Sequence, residues 1–374
     1  MTIAVTLLLL AAGLAADTVE ARRPEPRSPR VPPLKLLEHL YSMRPSVNSE
    51  ASSSIGSTVK LDITDDQFED ILGSVLAELE SQLLSSPQAQ KMFREACKYG
   101  LPDFDNLKFR DNYIASYNNK LKHPNWVMEH LTSTRMKCTR ATRNPLHIFV
   151  TDDSIHEYFC ANEYDYRRTG YDRGHLSPAC DNMISTENLN QAYCFLNVAP
   201  QVRQLNRGGC PWARLESYVR HIALRARHTY VVTGTLYLPS HVLHGEHAGT
   251  LDNVVSYRLI GQDRVGVPSH FYKVIVYESK LDVMFMEAYI MPNHPQIDSR
   301  AELSQFRVNI DAGLARIEEA AGSKFFASLS KSKVYKPDKL QYGYKDQTPM
   351  NFGAAPPPVN YMVSIPYYAS YWYQ

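Results

Sequence analysis

YDRGHLSPACDN (171–182), FLNVAPQVRQLN (195–206) and PWARLE (211–216) are the three blocks around which the chain is organised. In the first, Arg173-Gly174-His175 presents a guanidinium and an imidazole from a hairpin-like turn. The second supplies the side-chain amides of Asn197 and Asn206, and the third ends on Glu216 as an Arg-rich helical pattern begins. A neutral base, a cation, amide oxygens and a carboxylate in one short span suit hydrolysis of phosphodiesters with water and a hard metal ion.

Each residue has a chemical reading and a plainer one. His175 is the candidate general base, because an imidazole near its natural pKa accepts a proton from water at physiological pH. A lone histidine is more often structural, and the chain has 13 of them; His175 differs in its company, whereas His147 and His156 have no comparable neighbours. Asn206 can hold Mg²⁺ through its amide oxygen, since this ion prefers oxygen and keeps several waters. An asparagine in a loop is otherwise a turn residue. Glu216 either orders water around that ion or pairs with Arg220 one helical turn on. Arg173 either braces a phosphate oxygen or pairs with Asp172 or another carboxylate. From Gln201 to His228, six arginines (203, 207, 214, 220, 225, 227) stand against a single acid, Glu216. Such a run is usually a solvated helix face; beside this site, Arg203, Arg207 and Arg214 are also candidates for the phosphate backbone.

Composition sets the outer limits. A length of 374 residues allows one large domain with appendages, or two domains. With 44% hydrophobic and 21% charged residues the chain can build an ordinary core. A net charge of +1 means that any nucleic-acid surface must come from local clustering. Residues 1–21 are expected to be a targeting segment. MTIAVTLLLLAAGLAAD has the length of a signal peptide, and cleavage after Ala15 or Ala21 satisfies the small-residue rule. Secretion is the favoured reading, although no Lys or Arg precedes the apolar run. A mitochondrial presequence is the alternative: Arg22, Arg23, Arg27 and Arg30 support it, while Asp17, Glu20 and the unbroken leucines oppose it. No later stretch is long and apolar enough to span a membrane. Six cysteines (97, 138, 160, 180, 194, 210) behind a signal-like start predict up to three disulfides in an oxidised compartment, with buried free thiols as the alternative. None forms a CxxC pair, which argues against a zinc site.

Along the chain, residues 22–96 read as linker plus a helical extension. The stretch 22–33 is Arg/Pro-rich and 48–57 Ser-rich. Thr64 to Gln90 predicts a helix opened by the capping box Thr64-Asp65-Asp66-Gln67, with Phe68, Ile71, Leu72, Val75, Leu76, Leu79 and Leu83 at helical spacing. A globular domain is expected over 97–327. Its strand candidates are 112–116, 145–151, 229–239, 270–278 and 283–291, with a short apolar-patterned segment at 126–131. Residues 152–166 read as partly helical and Leu303–Ala321 as a helix. Strands and helices do not alternate strictly, so the fold class is α+β with a largely antiparallel sheet. Residues 328–374, rich in Lys, Tyr and Pro, read as a tail without its own core, whose aromatics can stack on bases or a partner.

DDSIHEYFCANEYDYRRTGYDRGHLSP (152–178), followed by FLNVAPQVRQLN and WARLE (212–216), resembles the DNA/RNA non-specific endonuclease family, and within it the endonuclease G branch. The likeness takes in KYGLP (98–102), NWVMEHL (125–131), VPSHFYKVIV (267–276) and YIMPN (289–293), and so covers roughly Cys97 to Phe326. It implies a ββα-metal nuclease fold with a central, mainly antiparallel sheet. It also implies Mg²⁺-dependent cleavage of DNA and RNA to 5′-phosphate ends, with Mn²⁺ as a substitute ion, by proteins that are commonly homodimers. By position, His175 matches the general base, Asn206 the direct metal ligand and Glu216 the carboxylate that orients water on the metal. Arg173 matches the arginine near the scissile phosphate, and Asn197 the supporting asparagine.

One interval departs from the family. NRGGCPWARLE (206–216) is two residues longer than the family pattern, in which a helix places Asn and Glu on one face. Gly208-Gly209 and Pro211 predict a helix starting only near Pro211, with Asn206 on a preceding turn. A bulge pinned by a Cys210 disulfide is one way to restore the geometry; otherwise the Glu216 assignment fails first. The expected function is therefore a Mg²⁺-dependent endonuclease, with a nuclease-fold protein that binds nucleic acid without cutting it as the alternative.

Overall fold

A computed structural model describes residues 86–137, 148–242 and 252–346, together with the isolated positions 70, 73 and 74. The targeting segment, most of the Thr64 helix and the chain from 347 lie outside the described residues. Every element below belongs to the compact unit Ser86–Gln374.

A seven-stranded, wholly antiparallel sheet forms the centre. Its order is β1 (Leu107–Phe109), β2 (Tyr113–Asn118), β3 (His123–Leu131), β6 (His228–Leu236), β11 (His270–Glu278), β12 (Met284–Pro292) and β13 (Arg307–Val308). A separate hairpin joins β4 (Tyr171–His175) to β5 (Val198–Val202). Two small pairs, β7 (Ser240–Val242) with β8 (Asp252–Val254) and β9 (Leu259–Ile260) with β10 (Val265–Gly266), complete the strands. The α+β reading with an antiparallel sheet holds. In β11, FYKVIVY is a near-continuous β-branched and aromatic run because both faces of the strand are buried.

Alternation along the strands assigns the two faces. Val127, Glu129, Leu131, Val231, Lys273, Ile275 and Tyr289 share one face, set by the pairings Glu129↔Val231↔Ile275 and Val127↔Thr233↔Lys273↔Tyr289. Against it packs α6 (Pro211–Ala223), through Trp212, Leu215, Tyr218, Val219 and Ile222. Those positions recur at i, i+3, i+4 and i+7, and each full burial contributes about 1.5–3 kcal/mol. Trp126, Met128, His130, Tyr230 and Tyr272 lie on the opposite face, where α1 (Pro87–Cys97) docks with Met92 and Phe93 buried. The remaining helices are α2 (Ser133–Lys137), α3 (Glu163–Tyr166), α4 (Thr186–Ala192), α5 (Arg203–Asn206) and α7 (Gly313–Ala321).

Several sequence expectations are corrected. Ser86 caps a new helix by accepting from the Ala89 amide at 3.0 Å, and Pro87 is its first residue, so the Thr64 pattern does not run through to Gln90. In the described part of 145–151, only Val150 pairs, in a single parallel bridge with Cys194. Leu303–Ala321 is not one helix. The Asn309 side chain accepts from the amides of Asp311 (2.8 Å) and Ala312 (3.2 Å), and this turn separates β13 from α7. Cys160, Cys180, Cys194 and Cys210 are all free thiols, which removes the disulfides expected of them. Burial pushes the Cys194 thiol up to about 12, so it stays protonated and poorly nucleophilic.

The first part of the expected tail is also built into the fold. Tyr335 bridges Phe285, the Gln341 amide donates to the Tyr218 hydroxyl at 2.9 Å, and Asp346 pairs with Arg214 at 2.6 Å. Replacing Asp346 by Ala leaves Arg214, only 4% exposed, as an unpaired buried cation. The expected cost is about 3 kcal/mol, read as a lower urea midpoint of the full chain. An unchanged midpoint would mean that this docking contributes nothing.

Candidate active site

The site begins with the register of the β4–β5 hairpin. Gly174 lies opposite Ala199, and a Cβ there would meet Gln201 Oε1 at 2.4 Å and its Cβ at 2.7 Å. Only glycine lets the buried Gln201 pass beneath the strand, and this close pairing carries His175 to the hairpin's end. The imidazole lies against Phe149 (ring centroids 5.2 Å) and meets the Tyr193 ring edge-on at 5.0 Å.

The residues after His175 are fixed from below. Asn197 is fully buried and does not face solvent: its Oδ1 accepts from the Ser177 amide at 2.8 Å, and its Nδ2 donates to the carbonyls of Ser177 (2.8 Å) and Ala192 (3.0 Å). The Ser177 hydroxyl donates to Glu129 at 2.7 Å. Lys273, 1% exposed, donates to Thr233 Oγ1 at 2.6 Å and to the Leu176 carbonyl at 3.4 Å, with its Nζ 4.8 Å from the Trp212 ring centre. Asn197 therefore positions the segment that follows His175.

Arg173 pairs with Glu163 on α3 and lies 4.7 Å over the Phe149 ring, so of the carboxylates open to it, Glu163 is the partner. Asp172 turns instead to the second block. It accepts from Asn206 Nδ2 at 3.2 Å and from Arg207 Nε and Nη2 at 3.0 and 3.1 Å, with Arg203 at 3.7 Å. Burial alone would raise this carboxyl, but the hydrogen bonds from Arg207 and Asn206 hold it below the ordinary value.

Asn206 is the last residue of the one-turn helix α5, and α6 starts at Pro211 as the sequence predicts. Cys210 is free, so no disulfide pins the intervening turn; Asp172 does so through Asn206 and Arg207. With its amide nitrogen on Asp172, Asn206 leaves its oxygen for a hard cation. An amide oxygen completed by waters suits Mg²⁺, which needs few protein ligands.

Glu216 lies on α6, where Lys273 and Asp181 act on it electrostatically. Burial pushes its carboxyl up to about 7, against the pull of Lys273. Arg220 pairs with Asp181 at 2.6 Å, which answers where that guanidinium goes. Arg203 and Arg207 are exposed, and Arg207 has its Nε and Nη2 engaged by Asp172. Arg214 is not: its guanidinium is buried between Asp346 and the Ala301 carbonyl, which removes it from any nucleic-acid surface. Sequence reasoning passed over Glu163, Asp172 as a tether, and Lys273. A lysine inside the apolar run HFYKVIVYE was the available signal for the last.

A hairpin that feeds through a short turn into a helix, with a histidine at its end and oxygen donors on the turn, is the arrangement of a ββα-type nuclease. The model of the DNA/RNA non-specific endonuclease family matches residues 94–332, and the chain belongs to that family and is an endonuclease hydrolase. It is 34% identical over 250 residues to endonuclease G, mitochondrial, of Caenorhabditis elegans, covering 67% of this chain and 77% of that protein. The human endonuclease G, mitochondrial, is 35% identical over 235 residues (63% and 74%), and a mitochondrial nuclease of Saccharomyces cerevisiae 33% over 246 (63% and 70%). A chain of the solved EndoG/EndoGI complex superposes with a TM-score of 0.58 at 32% identity, over 70% of this chain and 99% of that one. These relatives are named as mitochondrial, which overturns the expectation of secretion. No helix among the described residues is long and apolar enough to cross a membrane.

Two measurements probe this geometry. Asp172→Asn weakens the tether of the Asn206 turn, and activity at limiting Mg²⁺ is expected to fall roughly 10–100-fold, as for other groups that orient a metal ligand. Wild-type activity would make the tether dispensable. Glu216 has a folded pKa above its unfolded value, so the protein favours its neutral form. The stability this gives is complete below about pH 4.5 and is lost as pH rises towards about 7. Without metal, Glu216→Gln is expected to lose about 3 kcal/mol less stability than wild type between acid and mildly alkaline pH, by urea denaturation. Parallel pH profiles would mean that Glu216 ionises freely.

Proposed function

We propose that this endonuclease hydrolyses phosphodiester bonds of both DNA and RNA with Mg²⁺ held by Asn206 and His175 as general base, and that it acts in mitochondria. The observation that supports the reading is the Asp172 tether, which ties the strand bearing His175 to the turn bearing Asn206. His175 takes the proton of the attacking water. Arg173, steadied by Glu163 and Phe149, stands where a phosphate oxygen can be braced. Asn197 and Lys273 hold the backbone behind the base, and Glu216 offers a carboxylate to water in the site. When bound, Mg²⁺, or Mn²⁺ in its place, neutralises charge on the phosphate and on the leaving 3′ oxygen. Arg203 and Arg207 supply backbone contacts that do not read sequence.

Support for the mitochondrial address comes from the relatives' names and from the basic residues Arg22, Arg23, Arg27 and Arg30. A homodimer, common in the family, belongs to the same proposal and is read by light scattering. The decisive experiment is degradation of supercoiled plasmid and of RNA with Mg²⁺, with EDTA, and by His175→Ala. The expected outcome is cutting abolished by EDTA and reduced at least ~10²-fold in the variant. Full activity in His175→Ala would assign the base elsewhere, and cutting of only one nucleic acid would end the dual-substrate reading.

A further inference from the structure

On the sheet face turned away from α6, three side chains with no part in the nuclease site converge. Among the described residues, Glu95, His130 and His228 are the one group of three His, Cys, Asp or Glu residues whose ligand atoms all lie within 4.8 Å of one another. We propose that these three residues form a second metal site, one that binds Zn²⁺ and ties α1 to the central strands β3 and β6.

Strand geometry separates this cluster from the catalytic centre. Glu129 and His130 are consecutive in β3 and so point to opposite faces. Glu129 joins the network beneath His175 through Ser177, while His130 faces α1. His130 is paired with Tyr230, so His228, two residues before it, is the diagonal cross-strand neighbour of His130 on the same face. Glu95 reaches the pair from the last turn and a half of α1.

The distances suit one small ion. His130 Nε2 lies 2.9 Å from His228 Nδ1 and 4.0 Å from Glu95 Oε2. Four-coordinate zinc with bonds of about 2.0–2.1 Å needs ligand atoms roughly 3.3 Å apart, a value between these two. The third pair, Glu95 with His228, lies within 4.8 Å, so closing the site requires up to about 1.5 Å of adjustment, and the glutamate is the flexible member. The hydroxyl of Tyr230 donates to Glu95 Oε2 at 3.4 Å and holds the carboxylate towards the histidines, as the outer partner of a metal ligand does. The rings of His130 and Tyr230 stack at 4.8 Å and those of His130 and His228 at 5.1 Å, which fixes the imidazole planes.

The alternative is a simple hydrogen bond between two neutral imidazoles. A metal would replace that hydrogen bond, each ring turning a nitrogen lone pair to the ion, with Glu95 as the third ligand. Two imidazoles and a carboxylate favour zinc over Mg²⁺, which asks for oxygen. Glu95 and His228 are only half-buried, so an ion can enter from solvent, and a water can complete the shell.

The test uses the full chain, stripped of metal and then held in saturating Mg²⁺ to fill the oxygen-rich nuclease site. Calorimetric titration with Zn²⁺ should show one tight equivalent, and Co²⁺ should give the intense visible band of a four-coordinate site. Glu95→Gln and His228→Gln change half-buried positions without opening the core, and each should weaken zinc binding at least ~10-fold. Zinc should raise the melting temperature of wild type and not of His228→Gln, whose Mg²⁺-dependent cutting should be unchanged. Binding should persist in His175→Ala. Zinc that binds both glutamine variants as tightly as wild type, that disappears in His175→Ala, or that does not bind wild type at all would overturn the proposal.

Discussion

The hydrogen bonds of Asp172 are the constraint on which the nuclease centre depends. This carboxylate stands one residue before Arg173 and three before His175, yet it belongs mechanically to the second block, because Asn206 and Arg207 donate to it. A strand end and a turn 34 residues apart in sequence are thereby held as one surface. The turn itself has little else to define it. Gly208-Gly209 interrupts the helical backbone, Cys210 makes no disulfide, and α6 restarts at Pro211. A charge-assisted bond at the base of such a loop contributes more to its geometry than propensity does.

Beneath that surface lies a balanced set of buried charges. Lys273 and Arg135 face Glu129, while Asp181 takes Arg220 and stands near Glu216. Burial raises the carboxyls of Glu129 and Glu216 and lowers Lys273, each opposed by its charged neighbours. Ion pairs of this kind add little net stability, but removing one partner is costly. Their contribution here is positional: through Ser177 and the Leu176 carbonyl they fix the backbone that follows His175.

The two sheet faces carry separate chemistry by the alternation of a single strand. Glu129 in β3 serves the nuclease centre, and its neighbour His130 serves the cluster with Glu95 and His228. The lack of CxxC spacing was the ground for expecting no zinc site. It carried no information on two histidines separated by 98 residues. The free thiols and the mitochondrial relatives agree with each other, since disulfides belong to oxidising compartments.

The local strings were sufficient for the α+β class, for the strands at β2, β6, β11 and β12, for the helix start at Pro211 and for the family. Period-two runs, a proline at the first helical position and a compact motif are all written in contiguous residues. Tertiary structure alone decided the partners. It gave Arg173 to Glu163 rather than Asp172, buried Arg214 against Asp346, and turned Asn197 inward as a brace. It also docked the chain through residue 346 and broke the 303–321 pattern with an Asn309 turn. The physical reason is common to these cases. A charged side chain takes whichever opposite charge the folded backbone brings within reach, and that distance is set by strand register and helix docking rather than by separation in sequence.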